Sequence, residues 1–595
     1  MDVNHNEIPD TPPVAIISMG GLFPRASGLK SYWRLLYHGL DAITDVPSTH
    51  WSVDDYFDED TRKADHVYCR RGGFLSPIPF DPTAFGIPPS NLEATDTSQI
   101  LGLIAAKAAL EQAGYGENAE FDRDRTAVIL GVTGTQELVI PLGARLSWPK
   151  WKRALETAGV EPQKTRAIMA QLSSEYVPWR ENSFPGLLGN VVAGRICNRL
   201  DLGGTNCVVD AACASSMGAI NLALMELYTG RSRMVVTGGV DTLNDIFMHM
   251  CFARTQILSP TGDARPFSRQ ADGTVLGEGV GILIMKRLSD AEADGDRILA
   301  VLKGIGSSSD GKSQSIYAPR AEGQLKALRK AYAAAGIAPE TVGLIEAHGT
   351  GTRVGDKTEI EALKKMFGDA GTTPYCALGS VKSMIGHTKA AAGAAGLIKT
   401  VLALQKKILP PTLKADDPDP DLALEKSPFF LNAQTRPWFR TNDSPRRAGV
   451  SAFGFSGSNF HVVLEEYDAR RPDVSWDGSI EILALSDETL ETLKTAFQEI
   501  KTGLNDCPPE ILPHHARKSR QTYNAEHPYR LMMVLRCEED AQGPHWNTAS
   551  VFDETEKVLE NHDGASAWQT ASSFFGVGPR PGRLAFVFPG QGSQY

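Results

Sequence analysis

Cysteine is scarce in this chain: eight residues in 595, scattered, with no C-x-x-C pair among them. That excludes a disulfide scaffold and predicts a reduced protein of the cytoplasm. His66 with Cys69 and His249 with Cys251 lack second halves at metal-ligand spacing, so no zinc site is expected. No apolar run approaches the roughly 18 residues of a membrane span. Met1 to Asp10 holds no Lys or Arg and no apolar core, which excludes a secretory signal. Basic residues do not dominate either. The 60 Lys and Arg against 71 Asp and Glu leave a net charge of −11, which argues against nucleic acid as a partner.

What is present is a globular composition, 42% hydrophobic and 8% aromatic. At about 150 residues per domain, the length implies several domains or one large duplicated core. Short apolar runs alternate with helical stretches, the pattern of an α/β protein. Strands are predicted at Val14–Met19, Ala127–Gly131, Met234–Val240, Gly279–Lys286, Ile298–Ile305, Val342–Ala347, Ala377–Val381 and Phe460–Glu465. Helices are predicted at 31–40, Ser98–Ala113, Glu322–Ala335 and from about Thr388. Residues 135–185, with Trp148, Trp151 and Trp179, are expected to pack over the core or at a subunit contact.

The most informative stretch is Val208-Val209-Asp210-Ala211-Ala212-Cys213-Ala214-Ser215-Ser216-Met217. It reads as a strand, a turn of small residues, and a helix carried by Met217, Ile220, Leu224 and Leu227, with Thr229-Gly230 as the stop. Cys213 then lies at or beside a helix N-terminus, where free N–H groups favour an anion. A thiol there is expected to have a lowered pKa. A buried structural cysteine is the competing reading of this stretch. On the first reading, a limiting dose of iodoacetamide at pH 6.5 labels Cys213 first. Cys197, Cys207 and Cys376 are expected to be shielded, and Cys69, Cys507 and Cys537 reachable but slow, with an ordinary thiol pKa of about 8.5.

Three further motifs follow in order: His348-Gly349-Thr350-Gly351-Thr352 with GDKTE behind it, VKSMIGHTKAAAG containing Lys382 and His387, and SAFGFSGSNFHVVLEE. With VDAACASS they resemble a β-ketoacyl synthase, the ketosynthase domain of a type I polyketide or polyunsaturated-fatty-acid synthase, over residues 12–466. The resemblance implies a thiolase-like fold with a duplicated αβαβα five-layer core, normally a homodimer. It implies decarboxylative Claisen condensation, in which a Cys-bound acyl chain is extended by a malonyl unit on the phosphopantetheine of an acyl carrier protein. No cofactor is expected in the domain itself.

Such a reaction needs a thiolate to hold the acyl group, donors for an enolate, and an oxyanion hole. Cys213 suits the first role. His348 and His387, each at a strand end among glycines, suit the second as neutral Nε2–H donors. By resemblance, the N–H groups of Cys213 and Phe455 form the oxyanion hole and Phe455 gates the acyl pocket. Lys382 pairs with Glu359 and orients His348, and Thr350 and Thr352 hold the pantetheine arm.

Three departures from the commonest modular pattern point to an iterative synthase of the polyunsaturated-fatty-acid or enediyne type. The nucleophile motif is AACASS where TACSSS is typical, the loop is GFSGSN where GFGGTN is usual, and the segment 135–185 is long. A catalytically silent chain-length factor or carrier-docking partner is the alternative, and Cys213 with both histidines argues against it. In a degradative thiolase a cysteine stands where this chain has His387.

Gly306 to Ser313 matches the G-x-x-x-x-G-K-[ST] phosphate loop, but polar Gln314–Pro319 cannot open the helix that would bind phosphate. The segment is expected to border the substrate channel. Residues 1–11 read as a tail. Residues 467–582, with strands at Ile480–Leu485 and Tyr529–Leu535 and helices at Ser486–Thr502 and Asp553–Leu559, resemble the small α/β linker domain before an acyltransferase. FPGQGSQ within 583–595 resembles the opening of that acyltransferase, and there is no G-x-S-x-G elbow. The chain therefore reads as a piece of a longer multidomain synthase.

Overall fold

The computed structural model describes residues 12–134, 136–312, 315–368, 374–440, 444–467, 478–504, 512–540, 543–561 and 566–578. The tail 1–11, the acyltransferase-like segment 583–595, Asp468–Asp477 and Cys507 lie outside the described residues. The chain divides into two compact units, Met1–Ser475 and Trp476–Tyr595.

The first unit is built from two copies of one motif. The first copy runs β1 (Val14–Leu22), α1 (Thr97–Gln112), β2 (Thr126–Gly131), α2 (Val191–Leu200), β3 (Asn206–Val209), α3 (Ser215–Tyr228), β4 (Met234–Asp241) and β5 (Gly279–Arg287). The second runs β6 (Ala300–Ser309), α4 (Ala321–Ala335), β7 (Leu344–Glu346), α5 (Arg353–Phe367), β8 (Cys376–Gly379), α6 (Ala392–Lys406), β9 (Arg447–Gly454) and β10 (Ser458–Glu465). Across the sheet the strands lie β3-β2-β4-β5-β1 and β8-β7-β9-β10-β6. The chain positions of the two orders are identical. In both copies the third, second and fourth strands pair in parallel, and the fifth runs antiparallel between the fourth and the first. The copies meet where Val14–Ile16 pairs with Ala300–Leu302.

Strand periodicity produces the layers, because successive side chains face opposite sides of a sheet. On β2, Ala127 and Ile129 point into a central core, while Val128 and Leu130 point into an outer one. On β10, Val462 and Leu464 point centrally and Val463 outward. The central core contains α3 and α6 (Met217, Ile220 and Leu224 against Ala394, Leu397 and Val401). One outer core holds α1 and α2, and the other α4 and α5. This gives the αβαβα order of the thiolase-like fold. Helix α6 is rich in Ala and Gly because it crosses α3 closely: a Cβ on Gly393 would lie 2.7 Å from Ser216 Oγ and 2.8 Å from Met217 Cγ.

The second unit has strands Ile480–Asp487, Tyr529–Asp540, Gly543–Trp546, Ala567–Gln569 and Ser573–Val577, with helices Leu490–Leu504, Leu512–Thr522 and Thr548–Glu560. Leu483, Leu485, Leu493, Phe497, Leu531 and Phe575 form its core. The two expected strands and two expected helices are present. Helix Leu512–Thr522 escaped detection because HHARKSRQ shows no apolar face, and the last two strands because they are short.

Two other features bear on function. Residues 136–187 hold four helices, Val139–Arg145, Trp148–Thr157, Pro162–Ser174 and Ser183–Leu187, and leave Leu146, Trp179 and Phe184 exposed. Gly306–Ser309 is not a loop at all. It completes β6, where its backbone groups are spent on pairing with β10. Of the segment expected to border the channel, Asp310 lines the cavity, and so do Ser315–Pro319 beyond it.

Candidate active site

The two copies place equivalent strand ends at one cleft. Strand β3 leads to Cys213, and β7 to His348. Strand β8 leads to Lys382 and His387, and β9 to Phe455. Cys213, His348, His387, Thr350, Thr352, Glu359 and Phe455 all line one cavity of about 710 Å³. Lys382 is buried directly behind it.

Cys213 sits in a single 3-10 turn, Ala212–Ala214, immediately before α3. Ala212 is held at φ 51°, in the left-handed region, at a cost of about 1–2 kcal/mol for a non-glycine residue. Neighbouring side chains brace it. Asp210 Oδ1 accepts the Ala212 N–H (2.9 Å) and the Thr133 hydroxyl (2.6 Å). The Ser215 hydroxyl accepts the Ala211 N–H (2.9 Å) and donates to Ala212 O (2.6 Å). The end of β9 closes on this turn. A Cβ on Gly454 would lie 2.2 Å from Ala211 O, so only glycine permits the approach that aims the Phe455 N–H at the sulfur. The Phe455 ring rests between Phe252 (6.1 Å) and Tyr317 (5.9 Å), and all three line the cavity.

The sulfur does not match the expected low-pKa thiol. Cys213 is buried, and desolvation pushes it up to about 11, against the pull of Lys382 and Lys389 and the Phe455 N–H. Burial strips solvent from the sulfur, and that loss of solvation outweighs the helix end. Cys213 therefore rests as a neutral thiol. Cys69, expected to be reachable, is buried, whereas Cys251 is exposed.

The histidines answer to one design. Their rings lie 5.4 Å apart at 83°. The Phe453 N–H points at His348 Nδ1 (3.4 Å), and the Lys389 N–H at His387 Nδ1 (3.3 Å). With both Nδ1 atoms accepting, each ring carries its proton on Nε2, facing the cavity. Burial first, then the cation of Lys382, holds both well below the ordinary histidine pKa, so both rings are neutral at pH 7.

Lys382 and Glu359 were expected to form a pair. No ion pair joins them. Instead they grip the same loop from two sides. Lys382 Nζ donates to His348 O (2.6 Å), while Glu359 accepts the N–H groups of His348 and Gly349 (2.8 Å each). Burial lowers the Lys382 pKa and raises that of Glu359 to about 7. Asp356, one helical turn before Glu359 on α5, was missed. It accepts the N–H groups of Gly351 (3.2 Å) and Phe267 (2.7 Å). The D-x-x-E spacing inside GDKTE was its signal, since residues three apart share a helix face. Thr350 and Thr352 exchange a hydroxyl hydrogen bond of 2.9 Å at the cavity wall.

A buried thiol under a backbone N–H, facing two neutral Nε2–H donors, is equipped to hold an acyl thioester beside a forming enolate. Comparison with known proteins agrees. The β-ketoacyl synthase N-terminal domain matches residues 11–291 and the C-terminal domain residues 299–416. The chain belongs to the β-ketoacyl synthase family. The ketoacyl-synthetase C-terminal extension matches residues 418–534, crossing the division between the two units. As a ketosynthase it is an acyl-condensing transferase. A polyunsaturated fatty acid synthase polypeptide of Thraustochytrium is 40% identical over 460 residues, 76% of this chain and 16% of that protein. Polyketide synthase PksL of Bacillus subtilis is 37% identical over 533 residues, 88% of this chain and 11% of that protein. The chain thus spans a small part of the curated relatives. The ketosynthase from module 6 of the B. subtilis bacillaene synthase superposes with a TM-score of 0.67 at 31% identity, covering 95% of this chain and 87% of that one. The oxazolomycin ketosynthase domain OzmH KS7 of Streptomyces albus gives 0.68 at 28% identity, covering 96% and 90%.

Proposed function

We propose that this ketosynthase is the condensing unit of an iterative polyketide or polyunsaturated-fatty-acid synthase, with Cys213 as nucleophile and His348 and His387 as enolate donors. The observation that carries the assignment of roles is the convergence of the three side chains on one cavity, with both Nδ1 atoms occupied by backbone N–H groups.

In the first half-reaction the Cys213 sulfur attacks an acyl-pantetheine thioester. The N–H groups of Cys213 and Phe455 hold the oxyanion, the pantetheine sulfur leaves, and the Cys213 proton ends on it. One thiol is exchanged for another, so the transfer needs no net acid or base. In the second, the malonyl C–C bond breaks and carbon dioxide departs. The two electrons left behind form an enolate whose oxygen receives both Nε2–H bonds. The enolate carbon attacks the Cys213 thioester, and the released thiolate takes a proton and returns to its buried neutral form. Thr350 and Thr352 hold the pantetheine arm in both steps, and Phe455 swings to admit it.

Intact-mass measurement after incubation with acyl-loaded carrier proteins of graded chain length should show a single acyl addition, mapping to Cys213. A protein that neither gains acyl mass nor releases carbon dioxide from malonyl-carrier protein would instead be the silent, carrier-docking partner.

The partners proposed are an acyl carrier protein, an acyltransferase and other domains of the longer synthase, and a second copy of this chain. The cytoplasm is the proposed site of action. Among the described residues no helix is long and apolar enough to cross a membrane. Dimerisation is supported by β3, an edge strand that among the described residues pairs only with β2 and stays half-buried although it delivers the nucleophile. Such an edge invites a partner strand. Sedimentation at micromolar concentration should give twice the 64.4 kDa chain mass. A stable monomer would refute the dimer.

A further inference from the structure

One buried ion pair beside the site has no part in the chemistry described above. Lys389, two residues after His387, is 2% exposed, and its Nζ lies 3.0 Å from Asp241 Oδ1, whose residue is 5% exposed. The same Nζ donates to Gly277 O (2.9 Å). The second Asp241 oxygen accepts the Ala390 N–H (3.1 Å). Lys389 thus ties the end of β4 to the stretch that holds His387. That stretch is bonded to His387 by backbone alone: His387 N–H to Val275 O (2.7 Å) and Gly277 N–H to His387 O (2.9 Å).

The pair is costly. Two charges are removed from water, and apolar replacements of such pairs are often neutral or stabilising. Lys389 also stands at φ 46°, in the left-handed region, a strain that persists only where surrounding contacts enforce it. What the strained turn achieves is specific. It points the Lys389 N–H at Nδ1 of His387, and that contact keeps the His387 proton on Nε2.

We propose that Lys389, anchored by Asp241, is a positioning residue for decarboxylation, holding the backbone turn that sets the tautomer and aim of His387. The inference rests on the reading of His387 as an enolate donor. The groups facing His387 from the elements packed around it are Lys382, His348, Lys389 and Cys213, with Asp241 behind Lys389. The Lys389 cation is one of the charges that keep the His387 ring neutral. Its removal therefore moves protonation of His387 to higher pH. Removal of Asp241 leaves the cation in place and does not.

The test uses the whole chain with malonyl-pantetheine as probe. Carbon dioxide release is followed across pH, and acyl loading of Cys213 is followed in parallel by mass. Lys389→Met should lower kcat for release about tenfold or more, as loss of a partner that orients a histidine does. KM should stay within about twofold, since the probe does not touch Lys389; Cys213 loading should fall less than release, since the thiol loses only the lesser of the two lysine pulls; and the acid limb of the release profile should move to higher pH. Asp241→Asn should slow release without that upward move. Release by Lys389→Met within twofold of the parent overturns the inference, and so does an equal loss of loading and release. If Lys389→Met fails to fold, the neutral pair Lys389→Gln with Asp241→Asn is read the same way, and unchanged release there overturns it too. His387→Ala separates the two readings. Parental release by His387→Ala removes the enolate-donor role, whereas slow release confined to His387→Ala removes only the role of Lys389.

Discussion

His387→Ala should load an acyl group onto Cys213 at nearly the parental rate and release carbon dioxide from malonyl-carrier protein about 10²–10³-fold more slowly. Thioester exchange at Cys213 uses the N–H groups of Cys213 and Phe455, which the substitution leaves in place. Enolate formation loses one of two donors, and removing a donor to a developing oxyanion costs about 2.7–4 kcal/mol. Because burial and Lys382 hold the His387 pKa well below its ordinary value, the neutral donor persists as pH falls through 6.5. His387 itself should therefore contribute no acid limb between pH 8 and pH 6, where a solvent-exposed histidine would, and any loss in that window should be traced to Glu359, whose pKa burial raises to about 7. Parental release by the variant would remove His387 from this role.

Inactivation by iodoacetamide should climb about tenfold per pH unit between pH 7 and pH 10, because the thiolate is the reactive form and the Cys213 thiol is pushed up to about 11. The sign follows from burial. A thiol raised above its ordinary range gains thiolate only as pH approaches the raised value, so no plateau appears near pH 8.5. At pH 6.5 the first carboxamidomethyl group among the described cysteines should fall on Cys251, which is exposed on helix Ile246–Arg254, without loss of condensation. An acyl group on Cys213 should protect the activity at pH 10 and leave Cys251 open. A plateau near pH 8, with Cys213 mapped as the first site at pH 6.5, would mean that the helix end outweighs burial after all.

The residue identities of the site were legible in the sequence because each motif is local. A strand, a glycine turn and the chemical group lie within about ten residues, so Cys213, His348 and His387 could be read without knowing where they meet. The strands of the first copy, and of the second apart from β9, were legible for the same reason, since a buried strand needs only its own apolar run. Helix α5 and the helix Ile246–Arg254 were not, because their faces are shared with neighbours that sequence periodicity does not reveal.

Relations between distant residues were decided by tertiary structure alone. The matching strand orders of the two halves bring residues 213, 348, 387 and 455 to one cavity, and no spacing along the chain encodes that. The ionisation of Cys213 was decided the same way. Sequence places it by a helix end, a short-range favourable field. Only packing determines how much water is excluded around the sulfur, and desolvation of a charge exceeds the field of one helix end. The family resemblance implied that Lys382 and Glu359 form an ion pair. In the fold each spends its charge on the backbone of the His348 loop, since buried peptide groups left without partners would cost more than the pair would return.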